Sequence, residues 1–176
     1  MTRKRDRIFA GLGAALFLLS AVGLTALIII DANSKTNSAA TPTTADTCVD
    51  NGTEATLPVP EVYTTGAATT ELQKTDLEVG TGKEAKSGDC LAVKYYGTLA
   101  SDGTHFDDNF TQTTGFAFRL GTGGVIPGWD QGLVGLKEGG TRRLVIPAAL
   151  AYGETGQGSI PPNADLVFVV KLLRIQ

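Results

Sequence analysis

Beyond residue 70 the chain is dominated by short stretches in which apolar and polar positions alternate. Cys90 to Leu99 is the longest. Leu91, Val93 and Tyr95 share one face, while Cys90, Ala92, Lys94 and Tyr96 share the other. This is the two-residue period of a half-buried strand, and Lys94 marks the second face as solvent-facing. Gly115 to Leu120 repeats the pattern, with Phe116, Phe118 and Leu120 on one side and Ala117 and Arg119 on the other. Thr141 to Ile146 aligns Leu144 with Ile146, and Leu166 to Leu172 aligns Leu166, Phe168, Val170 and Leu172. The opposite face of that last strand, with Val167 and Val169, is too apolar for full solvation, which predicts partial cover. A further strand-like stretch starts near Glu71 and carries Leu77 and Val79 before the turn Gly80-Thr81-Gly82-Lys83.

The period changes once. Trp129, Leu133 and Leu136 stand at i, i+4 and i+7, and Pro127 precedes them. That spacing predicts one short helix with an apolar stripe, entered through a proline whose missing N–H is harmless there. Short strands packed on one helix predict an α+β domain with an antiparallel sheet. Pro147 to Asp165 is long and rich in Gly and Pro; a loop of that length within a compact domain is usually functional.

Residues 8–30 form an apolar run interrupted only by Ser20 and Thr25, with Arg3, Lys4, Arg5 and Arg7 before it and Asp31 after it. The run is long enough to cross a bilayer. The basic flank, residues 1–7, predicts a cytoplasmic N-terminus and an external bulk. A cleaved signal peptide is the alternative, although the run is long for one and Thr25-Ala26-Leu27 is a poor cleavage site. Residues 31–47 are rich in Ala, Thr, Asn and Ser, a composition that predicts a flexible stalk. Residues 48–70 read as an extended lead-in with a short edge strand around Glu61 to Thr64, and residues 71–176 as the folded domain. Cys48 and Cys90 are the two cysteines of the chain. In an oxidising compartment they most simply form one disulfide; two unpaired thiols are the alternative.

Charge and composition narrow the function. The formal net charge is −3, and beyond the N-terminal flank no basic stripe is present, so a nucleic-acid partner is not expected. Gly80-Thr81-Gly82-Lys83 lacks the residues of a phosphate loop, and Gly121-Thr122-Gly123-Gly124 lacks the third glycine of a dinucleotide site. The single histidine, His105, supports neither a catalytic triad nor a metal site. No cofactor and no metal are expected. What remains is a supply of rings on inward faces and in loops: Tyr95, Phe106, Phe116, Phe118, Trp129, Tyr152 and Phe168. Singly each is more often core, but the loop positions of Phe106 and Tyr152 favour a pocket.

Several motifs then occur in order. They are Val93-Lys94-Tyr95-Tyr96-Gly97, Gly103-Thr104-His105-Phe106-Asp107, Phe116-Ala117-Phe118 and Gly124-Val125-Ile126-Pro127-Gly128-Trp129. Ala151-Tyr152-Gly153, Ile160-Pro161-Pro162-Asn163-Ala164 and Leu166-Val167-Phe168 follow. Together they resemble the FKBP-type peptidyl-prolyl cis-trans isomerases in a bacterial, membrane-anchored exported form. The resemblance implies a five-stranded antiparallel sheet wrapped around one short helix, and a pocket for a proline ring. It places Trp129 at the floor and Tyr95, Phe106, Phe116 and Phe168 as walls. It assigns Ile126 N–H and the Tyr152 hydroxyl to substrate carbonyls, Asp107 to the pocket edge, and Val125 and Ile160 to the rim. The expected partners are proline-containing segments of exported proteins, with a macrolide as possible inhibitor, and the expected state is a monomer. A proline-holding module without turnover and a structural envelope domain are the competing readings. Gln157, where histidine is common, and Val169, where an acidic residue is common, bear on substrate preference.

Overall fold

The computed structural model describes residues 48–50 and 52–176. The expected basic flank 1–7, anchor 8–30 and stalk 31–47 lie outside the described residues. Among the described residues no helix is long and apolar enough to cross a membrane.

The elements run β1 (Gln73–Glu78), β2 (Cys90–Leu99), β3 (His105–Asp108), β4 (Phe116–Arg119), α1 (Pro127–Gly132), β5 (Thr141–Ile146) and β6 (Leu166–Ile175). The strands form one antiparallel sheet in the order β1-β5-β6-β2-β3, with β4 also paired to β2. The sheet has six strands, one more than the five expected. The reason is the length of β2. Its first half, Cys90 to Val93, pairs with β4, and its second half, Tyr96 to Thr98, pairs with β3. Two short strands therefore share one edge, and β3 occupies a stretch whose Asp-Asp-Asn sequence reads as turn.

α1 lies against β5 through its glycines. A Cβ at Gly128 would stand 2.3 Å from Ile146 Cγ2, and one at Gly132 would stand 2.8 Å from Leu144 Cδ1. These positions are four apart, so one glycine face lets helix and strand approach closely. Pro127 starts the helix, and Leu133 N–H closes it onto Trp129 O. The helix is shorter than the predicted stripe: Leu136 is buried, but a turn through Gly135 carries it there. Trp129, Leu133, Leu136, Leu144, Ile146, Phe168 and Val170 all belong to one core cluster.

The second face of β2 departs from expectation. Lys94 is completely buried, and its ammonium donates to the carbonyls of Asn109 and Gln112. A charge can be buried there because the loop after β3 supplies acceptors for it. The lead-in makes no strand around Glu61 to Thr64. It runs as single backbone bonds, Glu54 N–H to Thr113 O, Leu57 N–H to Phe110 O and Thr65 N–H to Ala100 O. Pro58 and Pro60 have no N–H to donate, which denies it a ladder. β1 is exposed along its whole length, and Leu77 and Val79 face solvent. The predicted cover on β6 is present: Val167 joins Val145 and Ala100 in a second small cluster, packed by Tyr63. Cys48 and Cys90 form a disulfide with Cα atoms 5.5 Å apart.

Candidate active site

The inner face of the sheet and the start of α1 enclose a hollow of about 200 Å³. Trp129 lies at its base, 4% exposed. Tyr95 and Phe168 meet the indole edge-on, with ring centroids 5.4 and 5.2 Å away. Phe116 stands 6.2 Å away, and Phe118 backs the indole from the core at 5.6 Å. Phe106 joins the wall through an edge contact with Phe168 at 5.5 Å. Edge-to-face arrangements suit the ring quadrupoles and hold the walls upright. Gly97 makes room for this: a Cβ there would fall 2.7 Å from Phe106 and 2.8 Å from Phe168. Val125 and Ile126 line the hollow from the loop before α1, and Gly124 joins them.

Few polar groups reach this greasy surface. Asp107 lies at it, and the Tyr95 hydroxyl donates to Asp107 Oδ2 at 2.8 Å. Burial, the bond to Asp107 and its charge all push the Tyr95 phenol up. Burial and the charge of Asp107 raise Tyr152 as well. Both hydroxyls therefore stay protonated near neutrality and remain donors. Tyr152 and Ile126 line the hollow, and neither the Tyr152 hydroxyl nor the Ile126 N–H has an acceptor among the described residues. Ile126 is the N-cap of α1, so its N–H precedes the helix while its carbonyl takes Trp129 N–H.

The chain that builds this hollow has matches among known proteins. The family described as FKBP-type peptidyl-prolyl cis-trans isomerase matches residues 81–173. The chain belongs to that family. Peptidyl-prolyl cis-trans isomerase FKBP2 of Mus musculus is 48% identical over 118 residues, covering 62% of this chain and 84% of that protein. FK506-binding protein 4 of Neurospora crassa is 50% identical over 101 residues, covering 57% of this chain but 21% of that protein. The crystal structure of FkpA from Escherichia coli superposes with a TM-score of 0.56 at 45% identity, covering 62% of this chain and 51% of that one. The chain thus spans most of one relative and a minor part of another. It carries an FKBP-type isomerase domain.

Within this FKBP-type domain the site residues expected from the sequence converge on one hollow, with Ile160 as the exception. Ile160 exchanges backbone bonds with Gln157, each N–H to the other's carbonyl, and its side chain sits in the core cluster at 7% exposure. The tight Gln157–Ile160 turn aims the side chain inward. Tyr152 follows a single 3-10 turn, Ala148–Leu150, whose first N–H donates to Asp165 Oδ1 at 2.9 Å. Asp165 also accepts Thr69 N–H at 2.6 Å, so one carboxylate ties both ends of the tyrosine loop to the lead-in. Gly97, Gly124 and the Tyr95–Asp107 bond were not legible as site features. The one signal for Gly97 is a glycine in mid-strand, which marks a close approach. Among the described residues no acidic, histidine or cysteine cluster could hold a metal.

Proposed function

We propose that this chain accelerates the cis-trans isomerisation of X-Pro bonds in exported proteins, from an anchor in the cell membrane. The observation that carries the isomerase reading is the ring-lined hollow over Trp129 with the Ile126 N–H and Tyr152 hydroxyl left unpartnered beside it. At about 200 Å³ it is smaller than the ~300–1,000 Å³ of a drug-sized ligand pocket, which suits a single inserted ring.

The reaction breaks no σ-bond, so it needs neither nucleophile nor base. Its barrier of about 18–20 kcal/mol is the loss of amide resonance on twisting, which makes the uncatalysed step take on the order of 10–100 s. The planar amide carries the charge separation of that resonance, and the twisted one carries less. A dry ring-lined site favours the less polar twisted form and lowers the barrier. Trp129 forms the floor under the proline, and Tyr95, Phe106, Phe116 and Phe168 form the walls. The Ile126 N–H and the Tyr152 hydroxyl grip the flanking carbonyls while the bond turns. Asp107, fixed by Tyr95, stands near the rotating carbonyl.

Location rests on the N-terminus. The basic residues before the apolar run 8–30 support a single-pass anchor with a cytoplasmic N-terminus. The Cys48–Cys90 disulfide suits an oxidising compartment outside it. The clients are then proline-containing segments of exported proteins, and a macrolide competes for the same hollow. The full chain, extracted in detergent, is expected to speed isomerisation of a short X-Pro peptide. Peptide binding without acceleration overturns the enzyme in favour of a proline-holding module. The mass of the extracted chain separates a retained anchor from a cleaved signal peptide.

A further inference from the structure

The pocket walls Phe106 and Phe116 stand on β3 and β4, and the loop 109–115 joins those strands. From the sheet, β2 holds that loop through its bonds to Asn109, the Lys94 ammonium and the contact of the Tyr96 ring with the buried Phe110. The lead-in holds the rest. Glu54 N–H donates to Thr113 O at 2.8 Å, and Leu57 N–H donates to Phe110 O at 2.8 Å. At the loop's end, Gly115 N–H donates to the carboxylate of Asp50. That carboxylate is 3% exposed and also takes the guanidinium of Arg174, which reaches Glu54 with its other nitrogen.

Two glycines accommodate the network. A Cβ at Gly115 would lie 2.7 Å from Asp50 Oδ2, and one at Gly52 would lie 1.7 Å from Arg174 Nη2. Asp50 and Arg174 both fall outside the family match at 81–173. The next residue after Gly115 is Phe116, the wall most open to solvent at 41% exposure. We infer that Asp50 is a positioning residue for the pocket: through Gly115 it fixes where the Phe116 ring stands. The inference rests on the isomerase reading for its function.

The test compares variants that lose the acceptor for Gly115 N–H with variants that keep it, in the full chain. Asp50→Ala removes the acceptor, and Asp50→Ser falls short of it. Asp50→Asn keeps an oxygen for Gly115 while losing the charge, and Arg174→Gln breaks the ion pairs while leaving the carboxylate. Melting temperature, kcat and KM for an X-Pro peptide are measured for each at a temperature where it is folded. Asp50→Ala and Asp50→Ser are expected to lower kcat/KM about tenfold, through KM more than kcat. Asp50→Asn and Arg174→Gln are expected to lose melting temperature but stay within about twofold in kcat/KM. Activity that follows melting temperature across all four variants overturns the inference, because the clamp would then be structural only. Activity of Asp50→Ala or Asp50→Ser within about twofold overturns it as well. If one of these two does not fold, the other carries the comparison. If the unsubstituted chain does not accelerate isomerisation, the enzyme reading fails separately. The affinity of the same peptide, read from fluorescence of Trp129, the single tryptophan, then carries the same comparison.

Discussion

On the face of β2 that carries Val93 and Tyr95, rings lean edge-on around an indole and leave a space with two donors unused. On the face that carries Lys94, the charged groups around β2 and its loop are engaged. The Lys94 ammonium has two carbonyls, Asn109 bonds Tyr95 N–H and Val93 O, and Arg174 has two carboxylates. The two faces differ by one residue of register along the same strand. Polar satisfaction separates them. Groups that are fully partnered specify the fold, whereas donors left open beside an apolar floor wait for something that binds. The sealed face also supports the open one, since the loop it clamps leads directly into Phe116.

The sharpest way to break this contrast is Trp129→Ala. Truncating a buried tryptophan is expected to lower stability by about 3–5 kcal/mol, and removing the floor should lower kcat/KM on the order of 10²-fold. Urea unfolding and a peptide isomerisation assay read the two effects. Unchanged catalysis in a folded variant would remove the pocket from the mechanism. On the sealed face, reducing Cys48–Cys90 opens a cross-link between residues 42 apart in sequence, and the chain-entropy account puts its contribution at about 4 kcal/mol. Denaturant midpoints with and without reductant measure it. A shift near zero would mean that the lead-in holds to the sheet without its covalent anchor.

Lys94→Met tests whether the buried ammonium is structural. It strips two carbonyls of their donor, and a loss of about 1–3 kcal/mol is expected from groups left unsatisfied. Tyr152→Phe has the smallest expected effect and speaks to the open face alone. Losing one neutral hydrogen bond to substrate, worth about 0.5–1.5 kcal/mol, lowers kcat/KM roughly two- to tenfold. The melting temperature should stay unchanged, because that hydroxyl has no partner among the described residues. A stability loss as large as that of Lys94→Met would show the tyrosine to be part of the frame.

Much of this was legible beforehand because alternation and stripe spacing are local. Val93, Tyr95 and Phe168 declare their side of the sheet by period alone, and Trp129 with Leu133 declares a helix face. The order of the motifs carried the family. Lys94 was misread because a charge in an alternating strand usually faces water. Its burial depends on carbonyls of Asn109 and Gln112, which periodicity does not reveal. Ile160, expected at the rim, is absent from the residues lining the hollow and sits in the core cluster beside a short turn onto Gln157, a placement that periodicity does not reveal either.

The sequence by itself determined β1, β2, β4, β5 and β6, the presence of one short helix, the ring inventory and the one pairing open to two cysteines. These follow from spacing and count, which the chain carries residue by residue. Tertiary structure alone decided that β2 would share its edge between β3 and β4, and that a loop would bury an ammonium. It also decided that Asp50 would meet Gly115 and Arg174 from 65 and 124 residues away. Contacts between distant segments depend on where closure brings them. A one-dimensional pattern holds no record of that.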